Sequence, residues 1–269
     1  MKAFLDVETT GFTPGQIAQL TYIITDDDLH FIKAKNYYFS VDTMPQGATA
    51  VHGLTKVKLR KLSNNQGFFD NAREILDDLQ DCDVICHNTE FDASFIRAEF
   101  YNLGLKPPKS FSGCTMKHFT NICRLRGGRN GQYKWPKLEE VLTHTCIMPD
   151  EILETAKSMF DCDTIGFHDS RYDAVAVYLI CSKGMTKEQL AEMETAYREV
   201  AATRREVAST TNVASSASPT IALKQRKPIN WMTAWLVVSV IAAFGQPLIG
   251  VPSLLGCAYF YYRRHKKNT

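Results

Sequence analysis

The sequence predicts an α/β domain, in which helices flank a mixed β-sheet, followed by an apolar C-terminal segment long enough to cross a membrane. Strand-like segments come first, strands then alternate with helices, and no residue between 229 and 262 is charged. The 269 residues carry a formal net charge of +2, so a basic surface for a polyanion would have to be local.

Hydrophobic periodicity places the elements of a first domain, residues 1–183. A strand is predicted over residues 2–7, and residues 16–25 and 31–39 are predicted as its antiparallel neighbours. A short buried strand is predicted over residues 83–86. Helices are predicted over residues 71–79, 91–102, 138–144 and 170–182.

The composition changes after residue 183. Thr186-x-x-Gln189 forms a capping-box pattern and opens an amphipathic helix predicted over residues 184–208. This helix is too short to predict a coiled coil, and we expect it to pack on its own domain. Small and polar residues predict a flexible linker over residues 209–228.

The apolar run at residues 229–262 exceeds the roughly 20 residues that one membrane span requires. Gly245 and Pro247 divide it, and basic residues flank both ends, which favours a hairpin over one tilted span. A buried hairpin of a small soluble domain is the alternative. A basic tail, residues 263–269, follows. Cysteines without a CxxC pair and the lack of a signal-peptide pattern place the first domain on the cytoplasmic side of the membrane.

Four acids and a histidine lie near the ends of predicted elements. Asp6 and Glu8 alternate along the first strand, so both project from one face. Asp92 and Asp173 lie near helix starts, and His168 lies in the loop before the last helix. Neighbouring carboxylates repel each other, and their oxygens suit Mg²⁺ or Mn²⁺. Each acid also has a structural explanation, an exposed strand end for the first pair and helix capping for the others.

The order and spacing of these residues resemble the DEDDh exonucleases, which include the proofreading subunit of bacterial DNA polymerase III, ribonuclease T and TREX-type enzymes. Residues 6–11 match the motif Asp-x-Glu-Thr-Thr-Gly, and residues 87–92 match His-Asn-x-x-Phe-Asp. His168 and Asp173 match the third motif, and residues 51–55 resemble the family's His-Gly-hydrophobic-Thr segment. The resemblance covers residues 1–182 and implies a DnaQ-like, ribonuclease-H-like fold.

The resemblance implies a metal-dependent 3′→5′ exonuclease that releases 5′-mononucleotides from nucleic acid 3′ ends. Single strands are the expected substrate, with DNA slightly favoured over RNA. Asp6, Glu8, Asp92 and Asp173 would hold two Mg²⁺ or Mn²⁺ ions, and His168 would be the general base. The family also suggests a homodimer. A catalytically inactive nucleic-acid-binding module and an oligoribonuclease or RNA-trimming enzyme are the alternatives.

Two groups of residues are candidates for binding the nucleic acid. By family analogy, the site of the 3′-terminal nucleotide involves Thr9, Thr10, Gly11, His52, Asn88 and Phe91. Residues 124–137 interleave basic, glycine and aromatic residues, which suit phosphates and unpaired bases. The candidates in this loop are Arg124, Arg126, Arg129, Lys134 and Trp135. An ordinary solvated loop with one anchored tryptophan is the alternative.

Overall fold

The computed structural model describes residues 1–128, 131–166 and 168–215 of the chain. A five-stranded sheet with the order β3-β2-β1-β4-β5 lies at its centre. The first three strands are antiparallel, and β4 and β5 run parallel to β1. The strands are β1 (Lys2–Thr9), β2 (Ile17–Thr25), β3 (Phe31–Tyr38), β4 (Asp83–Cys86) and β5 (Phe111–Cys114). The predicted α/β fold with a mixed sheet flanked by helices is confirmed.

Helices pack on both faces of this sheet. They are α1 (Gln46–His52), α2 (Lys56–Leu62), α3 (Phe68–Leu79), α4 (Thr89–Asn102), α5 (Thr115–Cys123), α6 (Leu138–Thr145), α7 (Pro149–Phe160), α8 (Ser170–Lys183) and α9 (Lys187–Ser215). Each strand and helix predicted within the first 183 residues is present, with ends that differ by three residues or fewer. Five further elements have no counterpart among the predicted ones, namely β5, α1, α2, α5 and α7.

The alternation of side chains along β1 divides the core into two layers. Leu5 and Val7 pack with residues of α3 and α4 on one face of the sheet. Phe4 packs with residues of α6, α7 and α8 on the other face. Because alternate residues of a strand share a face, Asp6 and Glu8 lie on the same face as Phe4. The acids of β1 therefore lie on the face of the sheet that α8 covers.

Helix α9 packs against the edge strand β5 and is part of the same compact unit. Met193 lies so close to Gly113 that a Cβ atom at residue 113 would be 2.9 Å from Met193 Cε. Lys2 at the start of β1 forms a largely buried ion pair with Glu194. These contacts tie α9 to two strands of the sheet.

The start of α9 has the predicted capping box. The Thr186 N–H donates to Gln189 Oε1 at 2.9 Å, and the Gln189 N–H donates to Thr186 Oγ1 at 3.3 Å. The helix is longer than predicted, because residues 209–215, assigned to the flexible linker, are helical. Residues 209–215 include neither glycine nor proline, the two residues that most strongly interrupt a helix. Their small and polar side chains alone did not end the helix.

Several predicted features lie outside the described residues. They are Arg129 in the basic loop, the rest of the linker, the transmembrane segment at residues 229–262 and the basic tail at residues 263–269. Among the residues that the structure describes, no helix has both the length and the apolar character needed to span a membrane.

Candidate active site

Three carboxylates from two elements meet beside the sheet. Asp6 and Glu8 project from β1, and Asp173 projects from the first turn of α8. One carboxylate oxygen from each of these residues lies within 4.8 Å of the others. Asp92, in the first turn of α4, is 3% exposed, and its carboxylate accepts a hydrogen bond from the Val7 backbone N–H. We refer to Asp6, Glu8, Asp92 and Asp173 as the acid cluster.

Burial and mutual repulsion disfavour ionisation within the acid cluster. Burial, followed by the charge of Asp173, raises the pKa of Glu8 to about 9. The pKa of Asp6 is also raised well above its ordinary value, first by burial and then by the charges of Asp173 and Asp92. Burial is also the largest cause that raises the pKa of Asp92 and of Asp173 to about 7. Among the largest causes of these shifts within the described residues, none is the charge of a neighbouring cation.

This set of ligands fits a divalent metal ion. Carboxylate oxygens are the ligands that Mg²⁺ and Mn²⁺ prefer, and a cation removes the repulsion that raises the pKa of each acid. Asp6, Glu8 and Asp173 are close enough to share one ion, and Asp92 lies beside them. The four carboxylates therefore need a bound cation to be ionised together at neutral pH.

The N-terminus of α8 leaves Asp173 free for this role. The N-cap residue is Asp169, whose side chain accepts a hydrogen bond from the Arg171 N–H at 3.1 Å. The capping box that Ser170 and Asp173 could have formed is therefore not present. Capping explains Asp169, and Asp173 faces the acids of β1.

Polar residues of β2 hold the start of α8 in place. Gln19 Nε2 donates to Asp169 Oδ1 at 2.8 Å, and the hydroxyls of Thr21 and Ser170 are 2.5 Å apart. Gln19 and Thr21 pair with Glu8 and Asp6 in the antiparallel register of β1 and β2. Gln19 and Thr21 therefore hold the start of α8 beside Asp6 and Glu8, so that Asp173 lies next to these two acids.

His168 lines a cavity of about 460 Å³ together with Asp173, Glu139 and Tyr172. We call it the His168 cavity. The histidine is exposed, and its backbone is left-handed, with φ of 55°. The structure therefore brings His168 and Asp173 to one cavity.

A second cavity, of about 390 Å³, has Glu8 in its lining. We call it the β1 pocket. It brings together most residues predicted to bind the terminal nucleotide, namely Thr9, Thr10, Gly11, His52 and Phe91. Its wall is largely apolar and includes Val51 and Phe12, which are 53% and 92% exposed. Asn88 does not line this pocket. It is exposed at the start of α4 and makes no side-chain capping bond.

Hydrogen bonds fix the positions of His52 and Thr10 in the wall of the β1 pocket. The Leu54 N–H donates to His52 Nδ1 at 3.1 Å, so Nε2 carries the proton and donates to the Thr9 carbonyl oxygen at 3.2 Å. Burial lowers the pKa of His52, which favours this neutral form. The Gln16 N–H donates to Thr10 Oγ1 at 3.1 Å and braces the turn after β1. His52 therefore has a structural role in the pocket.

The basic loop is anchored beside the active site. His87, from the second predicted motif, lies 3.1 Å through Nε2 from the Pro136 carbonyl oxygen, and burial lowers its pKa to about 4. Lys134 forms an ion pair of 2.5 Å with Glu140. Trp135 is 63% exposed and is therefore not buried in the domain, and both nucleic-acid contact and an ordinary solvated loop stay predictions for this segment. Arg124 and Arg126 are exposed, and neither lines the His168 cavity or the β1 pocket.

Three functional positions were not predicted from the sequence. Phe12 is an apolar residue in a turn of threonine, glycine and proline, a placement that could have indicated contact with a ligand. Glu139 borders the His168 cavity. Burial contributes most to the raised pKa of Asp173, and the charge of Glu139 contributes the second most. Gln19 is a polar residue inside a strand whose every residue is buried, a signal that it has a specific partner.

The structure resembles solved exonucleases. An exonuclease I structure is 20% identical and covers 68% of this chain and 40% of its own, with a TM-score of 0.52. A zinc-bound complex of E. coli exonuclease I with single-stranded DNA is 19% identical, with the same coverage and a TM-score of 0.51. Exonuclease X in complex with 5′ overhanging duplex DNA is 16% identical and covers 72% of this chain and 99% of its own, with a TM-score of 0.48. The chain thus spans about two fifths of the length of exonuclease I.

The sequence itself matches a family model. Residues 3–181, more than half of the chain, match the exonuclease family, RNase_T. No curated protein matches the chain by sequence. The match spans all four acids and His168, and the solved structures share the architecture of its sheet and helices. The chain therefore belongs to the exonuclease family and is a DEDDh, DnaQ-like 3′→5′ exonuclease with the ribonuclease-H-like fold.

Proposed function

We propose that this chain removes nucleotides one at a time from the 3′ ends of single-stranded nucleic acid, with two Mg²⁺ or Mn²⁺ ions bound and with DNA slightly favoured over RNA. The observation that carries this proposal is the meeting of Asp6, Glu8 and Asp173 within 4.8 Å, with Asp173 lining one cavity and Glu8 lining the other. His168 lines the first cavity, and most residues predicted to bind the terminal nucleotide line the second.

The two cavities suggest how the substrate lies. The terminal nucleoside occupies the β1 pocket, so that the scissile phosphodiester lies at Glu8 beside the acid cluster. His168 accepts the proton of the attacking water from the side of the His168 cavity. Bound divalent ions would supply positive charge against the phosphate and lower the pKa of a water molecule. Attack at phosphorus then breaks the bond to the 3′-oxygen and leaves a 5′-mononucleotide and a shortened strand.

Phe12 and the apolar wall of the β1 pocket favour an unpaired terminal base. An exposed aromatic ring can stack on a base of any sequence and contributes about 1–3 kcal/mol per base. Single-stranded DNA is bound by E. coli exonuclease I, which has the same fold, and this likeness is the basis for the proposed preference for DNA. RNA would need room for its 2′-hydroxyl in the same pocket.

A cleavage assay on the complete 269-residue chain tests the proposal. The substrates are 5′-labelled and 3′-labelled single-stranded oligonucleotides of DNA and RNA, each with Mg²⁺, Mn²⁺ or EDTA. We expect metal-dependent ladders that shorten from the 3′ end and disappear in Asp6→Asn. Asp81→Asn is the matched control and should cleave normally, because Asp81 is an exposed acid on the turn before β4 and lines neither cavity.

The outcomes separate the proposal from its alternatives. Binding without cleavage by the folded protein would assign the chain to an inactive nucleic-acid-binding module. Efficient cleavage of only very short RNA would instead assign an oligoribonuclease or RNA-trimming activity. Cleavage within the strand, or shortening from the 5′ end, would contradict the exonuclease mechanism.

We also propose that residues 229–262 tether the enzyme to a membrane, with residues 1–183 facing the cytoplasm. The support is the uncharged run between two basic flanks in the sequence. The protein should stay with membranes after alkaline extraction, and Val238→Arg combined with Ile241→Arg should release it. Release of the unaltered protein would contradict the tether.

A homodimer, the other proposed partnership, predicts twice the monomer mass in light scattering of the detergent-solubilised chain.

A further inference from the structure

A basic groove lies on a different part of the molecule from the two catalytic cavities. It encloses about 840 Å³ between α4, the connection from α4 to β5, α5 and α9. The cations that line it are Arg97, Lys106, Lys109, Lys117 and Arg204. Glu90 is the one acid among its lining residues, all of which lie in the described part of the chain. This excess of positive charge contrasts with the net charge of +2 for the whole chain.

The single acid of the groove is already neutralised. Lys117 Nζ lies 2.6 Å from Glu90 Oε1, and Arg204 forms an ion pair with the same oxygen. The guanidinium of Arg97 lies 4.8 Å from the centre of the Phe111 ring, and Lys117 Nζ lies 5.4 Å from that of Tyr197. The aromatic rings therefore hold cations in the wall of the groove. The charges of Arg97, Lys106 and Lys109 are not cancelled by any ion pair within the described residues.

Two of these cations are carried by a stiff segment. Lys106 and Lys109 flank Pro107 and Pro108, and both lysines are exposed. A residue before proline is restricted to extended conformations, so Lys106 and the two prolines form a stiff, extended segment. Tyr101, 64% exposed on the last turns of α4, adds an open aromatic face beside the lysines.

The groove begins at the edge of the sheet where the acid cluster lies. Glu90 is in the first turn of α4 and Lys117 is in α5, and both helices follow the carboxyl ends of parallel strands. Asp92 is two residues from Glu90 but projects from the opposite side of the helix, since residues of a helix are 100° apart. Lys109, at the other end, precedes β5. The lining residues of α4 run from Glu90 to Tyr101, about 17 Å along the helix and away from its first turn.

We infer that this groove binds the phosphate backbone of a single-stranded nucleic acid at a distance from its 3′ end. The inference rests on the proposed function and extends it, because the acid cluster and β1 pocket contact only the terminal nucleotides. A concave surface with several unpaired cations and an exposed aromatic ring suits one flexible strand. Contact here holds a long substrate while its end is cleaved and makes affinity depend on substrate length and salt.

Removing the two exposed lysines tests the inference. The variant Lys106→Ala/Lys109→Ala is compared, as the complete chain, with the matched control Lys61→Ala/Lys157→Ala, which removes two exposed lysines outside the groove. Binding of a labelled 20-nucleotide strand is measured by fluorescence anisotropy in EDTA, between 50 and 200 mM salt. Cleavage of the 20-nucleotide strand and of a trinucleotide is measured with Mg²⁺.

Loss of two phosphate contacts should make the negative slope of log affinity against log salt concentration less steep by about 1.4. At 0.1 M salt, the affinity for the strand should fall roughly 25-fold. KM should rise for the 20-nucleotide strand and stay constant for the trinucleotide, and the control should behave as the unaltered protein. An unchanged slope, or equal losses in the control, would overturn the inference. So would a variant that loses binding to phosphatidylserine vesicles but keeps its affinity for the strand, since the groove would then face a membrane. Absence of cleavage by the unaltered protein would refute the proposed function, while the binding measurements would still decide the groove.

Discussion

Removal of one carboxylate from the acid cluster should stabilise the metal-free protein at alkaline pH. Asp173→Asn keeps the size of the side chain but removes its charge from beside Asp6 and Glu8. Most substitutions of a largely buried residue destabilise a protein, so a gain in stability would be a specific sign of repulsion. The gain should depend on pH and on metal in a way that follows from the raised pKa values.

The size of the effect follows from linkage between proton binding and folding. The pKa of Asp173 rises from 3.8 to about 7 on folding, so the folded state binds extra protons between these pH values. The associated stability is complete below about pH 4 and is lost as pH rises through 7. A shift of about 3 pKa units corresponds to at most about 4 kcal/mol at pH 8. For a domain of this size, we expect Asp173→Asn to unfold about 5–10 °C higher at pH 8 in EDTA.

Thermal unfolding followed by circular dichroism measures this difference. The unaltered chain, Asp173→Asn and the control Asp81→Asn are compared at pH 5 and pH 8, in EDTA and in Mg²⁺. Mg²⁺ should reverse the order at pH 8, because an ion that binds only the folded state stabilises the complete cluster most. The reasoning is refuted if Asp173→Asn melts below Asp81→Asn in EDTA at pH 8, or if the difference is the same at both pH values.

Three further substitutions test individual contacts of the site. His168→Ala should lower kcat by about 10²- to 10⁴-fold while Mg²⁺ still raises the melting temperature, and loss of that metal response would contradict a role as general base. Phe12→Ala should raise KM for single strands by roughly tenfold, with the exposed Phe69→Ala as control, and equal effects of the two would remove the stacking role. Asp169→Asn should raise the Mg²⁺ concentration for half-maximal activity roughly 3- to 10-fold, the equivalent of about 1 kcal/mol of charge interaction, and an unchanged titration would contradict this.

The parts of the site that could be predicted from the sequence are governed by local periodicity. Asp6 and Glu8 project together because side chains alternate along a strand, and this is independent of the rest of the fold. The short apolar segment between polar flanks predicted β4 with its correct ends. The meeting of Asp173 with the acids of β1 was suggested only by motif order, since a separation of more than 160 residues has no local signature.

Contacts between distant segments account for what could not be predicted. Ser170 and Asp169 both carry oxygen acceptors at the start of α8, and local sequence does not decide which caps the helix. The decision comes from β2, where Thr21 engages the Ser170 hydroxyl and leaves the cap to Asp169. Packing of α9 on β5 depends in the same way on Gly113, whose lack of a side chain admits Met193 across 80 residues of sequence.

Asp169 explains why the charge of the site favours a cation even before a metal binds. Burial opposes its ionisation, but hydrogen bonds from Arg171 and Gln19 outweigh burial and lower its pKa. Its negative charge is therefore permanent at neutral pH, and it raises the pKa of Asp6, Glu8 and Asp173. Because its oxygens are already engaged by these donors and by the helix N-terminus, Asp169 acts on the acid cluster through its charge and not as a ligand. The fold thus keeps Asp169 ionised in an ion pair with Arg171, and the charge of Asp169 adds to the repulsion among the acids that a divalent ion would relieve.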